Sequence, residues 1–262
     1  MRDDLPAATS ATQLATYASC PRRYAYRYVE RRAPEQRSLG LILGAAVHSA
    51  LAWYLLERAE EREPALDDVL RILRADLGAG LADDAVRLRG TTPDALHAEA
   101  ARVVRCFLDE HGDLAVREVE LRFDFVITDP DTGEQMPRAM VGYFDVELAS
   151  GNVVELKTAK RAYSAVALRS GLQFAAYRTA AAYAGVDVEL LALVRTKQPR
   201  VQHVVLPRDR EVSRWFMRAA ASIERAILAG HFPPAPGATC ASCEYRRACL
   251  GVEAEVVDAE AA

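Results

Sequence analysis

The chain has 262 residues, 51% of them hydrophobic and 27% charged, with 33 Lys+Arg against 37 Asp+Glu and a formal net charge of −4. That length and apolar content allow one large core or two small ones and exclude wholesale disorder. No apolar run is expected to approach the roughly 20 residues that span a bilayer, and the opening Met-Arg-Asp-Asp-Leu-Pro lacks an apolar export region, so a cytoplasmic protein with no membrane contact is expected.

Ser10 or Thr12 is a plausible cap for a helix carrying Leu14 and Tyr17, which Pro21 interrupts; Tyr24, Tyr26 and Tyr28 then alternate with Ala25 and Arg27. Glu30 to Ser38 reads as a polar loop. Helical periodicity follows from Gly44 to about Ala59, with Val47, Leu51 and Leu55 on one stripe, and again over Leu66–Leu77 and Pro93–His111. Cys106 falls on the apolar stripe of the last, beside Val103 and Phe107, as a buried structural thiol. After Gly112 the period changes to two. Val116–Thr128 is predicted as a long strand, Met140–Leu148 and Asn152–Ala159 as a hairpin about Ala149-Ser150-Gly151. A helix over Ala165–Ala184, strands at Val186–Arg195 and Arg200–Leu206, and a helix over about Glu211–Ala229 complete the core. Phe232-Pro-Pro-Ala-Pro-Gly237 is an extended leash into a cysteine cluster, and the acidic segment 252–262 is expected to fray. The order predicts one α/β domain over 1–251, its core wrapped by helices at both ends: an N-terminal Cys segment at 10–38, a helical region at 44–112, the core at 116–210, and a C-terminal helix with cysteines at 211–251.

The hairpin carries an awkward set of charges. Glu155 and Lys157 share one face of a strand whose other residues are mostly apolar, and Asp145 on the partner strand sits opposite or diagonal to Glu155, within reach of one shared cation. Buried charge is costly unless paired or metal-bound. A cross-strand salt bridge on a solvated face is the alternative. Gln173 and Tyr177, four apart, project from one face of a helix, and His48 lies in Gly44-Ala-Ala-Val-His48. Five cysteines are an odd number for a disulfide framework. Cys240, Cys243 and Cys249 read C-x2-C-x5-C, three ligands for a site that requires a fourth; Cys20 is the candidate, because the two ends of a domain often lie close together.

These residues in this order resemble the PD-(D/E)XK nuclease superfamily in its RecB-like branch, related to AddB-type and CRISPR-associated spacer-acquisition nucleases. The likeness runs from Ser10 to Cys249. It comprises S-x-x-x-L-x-x-Y-x-x-C-P-x-x-Y (Ser10, Leu14, Tyr17, Cys20, Pro21, Tyr24), G-x-x-x-H (Gly44, His48), G-x-x-D (Gly142, Asp145), E-x-K (Glu155, Lys157) and Q-x-x-x-Y (Gln173, Tyr177). The resemblance implies a restriction-endonuclease-like fold, an α/β core with a mixed central sheet flanked by helices. Asp145 and Glu155 are then ligands of Mg²⁺ or Mn²⁺, joined by His48 and the backbone carbonyl of Leu156. Lys157 is the catalytic lysine, and Gln173 and Tyr177 shape the site and hold the strand. It further implies that Cys20, Cys240, Cys243 and Cys249 hold a 4Fe-4S cluster, with zinc as the lesser alternative. The chemistry suits these residue types. A divalent ion on hard carboxylate oxygens neutralises charge on a phosphodiester and lowers the pKa of a bound water. A lysine orients or deprotonates the attacking water.

The acidic balance argues on its own against a polyanionic partner, but cations cluster locally. Arg22, Arg23, Arg161, Arg169 and Arg178 are candidate nucleic-acid contacts; Arg27, Arg31, Arg32 and Arg37 continue the first run. The expected activity is DNA cleavage, on single strands or DNA ends, in repair, recombination or CRISPR-type processing. The second reading is an accessory subunit that grips DNA within a helicase–nuclease or spacer-acquisition complex. No helicase P-loop of the G-x-x-x-x-G-K-[ST] type occurs in the chain, so a helicase or integrase partner is expected to be a separate protein.

Overall fold

The computed structural model describes residues 4–88 and 90–251; the segment 252–262, expected to fray, lies outside the described residues. Helix α1 (Ala11–Ser19) begins where Ser10 accepts a hydrogen bond from the Gln13 N–H. Pro21 opens the short α2 (Pro21–Tyr24), which runs directly into a π-helical turn at Ala25–Val29. Then come α3 (Leu39–Ala59), α4 (Leu66–Leu81) and α5 (Pro93–His111). Strands β1 (Val116–Phe125), β2 (Met140–Leu148) and β3 (Val153–Ala159) follow. After them are α6 (Ala165–Ser170), α7 (Leu172–Ala184), β4 (Val188–Val194), β5 (Arg200–Leu206) and α8 (Arg210–Leu228). A 3₁₀ turn at Ala238–Ser242 and α9 (Arg246–Leu250) end the described chain.

The five strands form one mixed sheet in the order β1-β2-β3-β4-β5, antiparallel except for the parallel pair β3–β4. Helices α3, α4 and α5 cover one face through Leu43, Val47, Leu51, Leu73, Val103 and Phe107, packed on Val154, Leu156 and Leu191. The other face carries α6 and α7 over Val153, Val188 and Leu190, with α1 and α8 beyond. Both faces are dry, so β3 is buried from Val153 to Leu156, as expected of a central strand.

Three expectations are corrected. The predicted Ala165–Ala184 helix is two helices, broken at Gly171, whose extended backbone (ψ 120°) caps both. Helix α4 does not stop at Leu77 but continues through Gly78 and Gly80 to Leu81, because packing on α3 outweighs the glycine penalty. The expectation that no apolar run approaches membrane-spanning length also fails. Helix α3, 21 residues, is long and apolar enough to cross a bilayer by length and composition. Its Leu43, Val47, Leu51 and Leu55 are fully buried against the sheet and neighbouring helices, which accounts for the apolar content.

One irregularity positions the site. Within β1, Glu120 adopts a left-handed φ of 59° between the pairs Val119↔Val146 and Leu121↔Phe144. Two residues apart on a regular strand share a face. Here Val119 and Val146 pack in the α3–α5 core while Leu121 and Phe144 pack beneath α7. The pleat therefore turns over at the level of Asp145.

Candidate active site and cysteine cluster

Strands β2 and β3 pair only at Val146↔Val154 and Glu147↔Val153. Carried one step further, that register sets Asp145 opposite Glu155, but the ladder ends there. Instead the Leu156 N–H donates to Asp145 Oδ2 at 2.6 Å, so a side chain takes the place of the strand's backbone acceptor. The other oxygen, Asp145 Oδ1, lies 3.6 Å from His48 Nδ1. Helix α3 brings that imidazole in because Gly44, one turn earlier, lies against β3: a Cβ on Gly44 would fall 2.7 Å from Thr158 Oγ1. The spacing Gly-x-x-x-His thus has a steric cause, close approach at the glycine and a side chain one turn on. Gly142 does similar work on β2, where a Cβ would meet the ring of Phe123, its cross-strand partner, at 2.4 Å.

Gly44→Ala sets two effects against each other. The methyl overpacks the α3–β3 contact, at about 1–3 kcal/mol, while alanine gains about 1 kcal/mol of helix propensity. We expect a net loss of up to about 2 kcal/mol by urea denaturation. In a Thr158→Ala background the clash is absent, and the same substitution should stabilise by about 1 kcal/mol. Equal effects in both backgrounds would disprove the contact.

Glu155 is 2% exposed. One of its oxygens accepts a short hydrogen bond from Lys157 Nζ, and the other, Oε2, is buried with no hydrogen-bond partner among the described residues. Burial pushes its pKa up, Lys157 pulls it back, and the Asp145 carboxylate raises it further. Burial alone would favour a neutral Lys157 amine, but Glu155, Tyr177 and Asp145 outweigh it and hold the ammonium charged. Its Nζ lies 5.7 Å from the Tyr177 ring centroid, and Gln173 Nε2 donates to the Tyr177 hydroxyl at 3.4 Å. Tyr177 is itself pushed up by desolvation, so it remains a phenol able to donate. The structure therefore brings His48, Asp145, Glu155, Leu156, Lys157, Gln173 and Tyr177 to the open end of the β2–β3 pair.

Among the described residues no three His, Cys, Asp or Glu side chains are drawn together closely enough to form a metal shell unaided. A divalent ion nevertheless fits the donor set. Glu155 Oε2 has no hydrogen-bond partner among the described residues, and a hard cation is what two carboxylates and an imidazole would accept.

The other predicted cluster also converges. Cys20, Cys240, Cys243 and Cys249 all line one cavity of about 50 Å³, and all are free thiols. Burial pushes the Cys243 and Cys249 thiols up, and Cys20 and Cys240 add to the shift at Cys249. Around them the two ends of the chain are clasped. Arg23 pairs with Glu244 at 2.8 Å, the Tyr26 hydroxyl donates to the Ala248 carbonyl at 3.2 Å, and the Glu35 carboxylate accepts from the Arg247 and Ala248 N–H groups. Glu35 reads as an ordinary loop residue in the sequence, because its partners are more than two hundred positions away. Cys106 is only half-buried, its Sγ 3.1 Å from Glu110 Oε1; burial first, then that bond, pushes the thiol up to about 12.

The arginine predictions divide. Arg178 is buried and donates twice to the Pro207 carbonyl, which withdraws it from any nucleic-acid surface; helical spacing alone does not show that α7 turns this residue inward. Arg22 lies over the Tyr26 ring and pairs with Glu30 at 3.4 Å, and Arg23 is engaged by Glu244. Arg161 and Arg169 are exposed. Tyr24 and Tyr26 are core residues, 0% and 4% exposed, and do not offer a stacking surface.

The model of the PD-(D/E)XK nuclease superfamily matches residues 8–250. Among solved structures, a crystal structure of a "putative exonuclease" from Eubacterium rectale is similar in fold, with a TM-score of 0.59 at 12% identity over 92% of this chain and 88% of that one. The crystal structure of SSO0001 is more distant, with a TM-score of 0.44 at 15% identity over 94% and 86% of the two chains. A search of curated proteins finds no match. With a mixed sheet flanked by helices, an acid–acid–lysine set at its opened strand pair and a family match across nearly its whole described length, the chain belongs to the PD-(D/E)XK nuclease superfamily.

Proposed function

We propose that the chain is a metal-dependent deoxyribonuclease of the RecB-like branch, one domain over 1–251, acting on single-stranded or end-containing DNA. The observation that carries this reading is the buried Glu155 carboxylate with an unpartnered oxygen, placed between Lys157 and Asp145. His48, Asp145, Glu155 and the Leu156 carbonyl would hold Mg²⁺ or Mn²⁺. The bound ion would supply charge neutralisation at the phosphodiester and a water of lowered pKa. The chain's own part is positional. Lys157 keeps an ammonium beside the scissile phosphate, the Tyr177 phenol fixes that ammonium from behind, and Gln173 orients the phenol. The similar fold of the Eubacterium rectale "putative exonuclease" supports an exonuclease mode. Labelled single-stranded, blunt and circular DNA, incubated with Mn²⁺, Mg²⁺ or EDTA, tests the reading. Metal-dependent release of nucleotides from ends is expected. Binding without cleavage under both metals would instead favour the accessory, DNA-gripping role beside a helicase or integrase.

We further assign Cys20, Cys240, Cys243 and Cys249 to a structural 4Fe-4S cluster that ties the C-terminal leash to the start of the fold, as four free thiols about one small cavity support. Anaerobically purified protein should be brown, and Cys20→Ala should lose the iron and the colour together. Colourless protein with stoichiometric zinc would replace the cluster by a zinc site.

A further inference from the structure

A groove of about 770 Å³ lies between the segment 23–38 and the outer side of α3. Five arginines line it, and three of them face carboxylates: Arg23 with Glu244, Arg32 with Glu30 and Arg37 with Asp83. Arg27 and Arg31 have no carboxylate partner among the described residues. Arg27 lies over the Tyr28 ring at 5.3 Å. Arg31 holds a left-handed φ of 51°, a conformation non-glycine residues rarely adopt; the turn is fixed by the Arg32 N–H donating to the Tyr26 carbonyl at 2.9 Å. A charged side chain on strained backbone at a groove wall is a feature found at binding sites more than on idle surfaces. Asp76, from α4, is the acid on the groove wall that no arginine engages among the described residues.

The floor is a stripe of α3. Leu41, Ala45 and Ser49 are four residues apart and so share one face. Leu41 is 68% exposed, an apolar side chain open to solvent beside the arginine-lined wall of the segment 23–38. His48 precedes Ser49 on the same helix, and from Leu41 to His48 the axis advances about 10 Å. Ser49 on the groove floor is thus the chain neighbour of His48, which the same helix supplies to the candidate active site.

We propose that this groove seats the single-stranded stretch of a DNA substrate, with Arg27 and Arg31 on the phosphodiester backbone and bases against Leu41. The proposal deepens the nuclease reading and rests on it for the identity of the strand. A single strand is favoured over a duplex because its bases offer free faces to an apolar floor, whereas a duplex keeps them stacked.

The test uses the full, cluster-loaded chain and a fluorescent oligothymidylate, titrated in EDTA over a range of KCl. Arg27→Gln/Arg31→Gln should weaken binding at least tenfold and reduce the slope of log affinity against log salt by about 1.4, near 0.7 for each phosphate no longer neutralised. Arg27→Lys/Arg31→Lys should restore most of the slope. An unchanged slope in the folded glutamine variant overturns the proposal. If that variant does not fold, Ser49→Glu, which puts a carboxylate on the floor, must weaken binding comparably or the groove is not the seat. A wild type whose binding depends on the groove but which cuts no DNA would retain the groove and refute the nuclease.

Discussion

Glu155→Gln should lower metal-dependent DNA cleavage by at least about 10³-fold while leaving the fold as stable as wild type or more so. The two halves have one cause. Glu155 is 2% exposed, with one oxygen unpartnered, and burial raises its pKa, so its ionised form carries a desolvation penalty that the proposed metal ion, rather than folding, would offset. The amide keeps the shape and removes the charge. Relief of buried charge is expected to stabilise by up to about 2 kcal/mol in urea denaturation. Lys157→Met should abolish cleavage to a similar degree. It leaves Glu155 without its counter-ion, and because burial already raises that carboxyl's pKa, it takes up a proton rather than unfolding the protein. Single-turnover assays of the two variants and their combination decide the matter. If the two act as one unit, the double variant is no slower than either single. Near-wild-type rates in either, with metal present, would refute the site.

How far such a site is visible in sequence depends on the range of the interactions that make it. Met140–Leu148 and Arg200–Leu206 are found to the residue, because strand alternation is local, and Pro93–His111 because Thr92 caps it and Pro93 opens it. The Asp145–Glu155 juxtaposition is legible as well, since a short hairpin nearly fixes its own register. What is not legible is long-range. The overturned pleat at Glu120 depends on packing against two different helical layers. Arg178 reads as a surface cation because nothing in its spacing shows that Pro207 supplies its acceptor. The apolar length of α3 is hidden because a glycine at position 44 reads as a helix start, whereas the helix begins at Leu39. Arg138 and Glu224 give no local signal, one in a proline-flanked loop and the other on an amphipathic helix, yet each is fully buried.

Those two residues carry the largest expected effect on stability. Arg138 donates to Glu224 through Nε and Nη2 at 2.8 and 2.7 Å, and through Nη1 to the Tyr24 hydroxyl at 3.3 Å and the Pro6 carbonyl at 3.4 Å. Both side chains have no exposure. A paired, fully hydrogen-bonded ion pair of this kind adds little net stability over an apolar replacement, but half of it is ruinous. Arg138→Met strands a carboxylate in the core and should cost about 3–5 kcal/mol; Arg138→Met/Glu224→Leu should recover most of that. The pair also joins three parts of the chain. Arg138 follows the loop after β1, Glu224 lies on the helix that leads into the cysteine leash, and Tyr24 sits four residues beyond Cys20. The tyrosine of the Cys-Pro-x-x-Tyr motif therefore acts as an acceptor that registers the Cys20 segment against α8. If Cys20 and the late cysteines hold the proposed cluster, Arg138→Met should lose its iron at lower urea than it loses helix content by circular dichroism, and the apolar double variant should restore stability before it restores iron retention. Coincident loss of iron and helix in the single variant, with full recovery of both in the double, would reduce the pair to an ordinary core contact and leave the docking of Cys20 to Tyr26, Glu35 and the other clasping bonds alone.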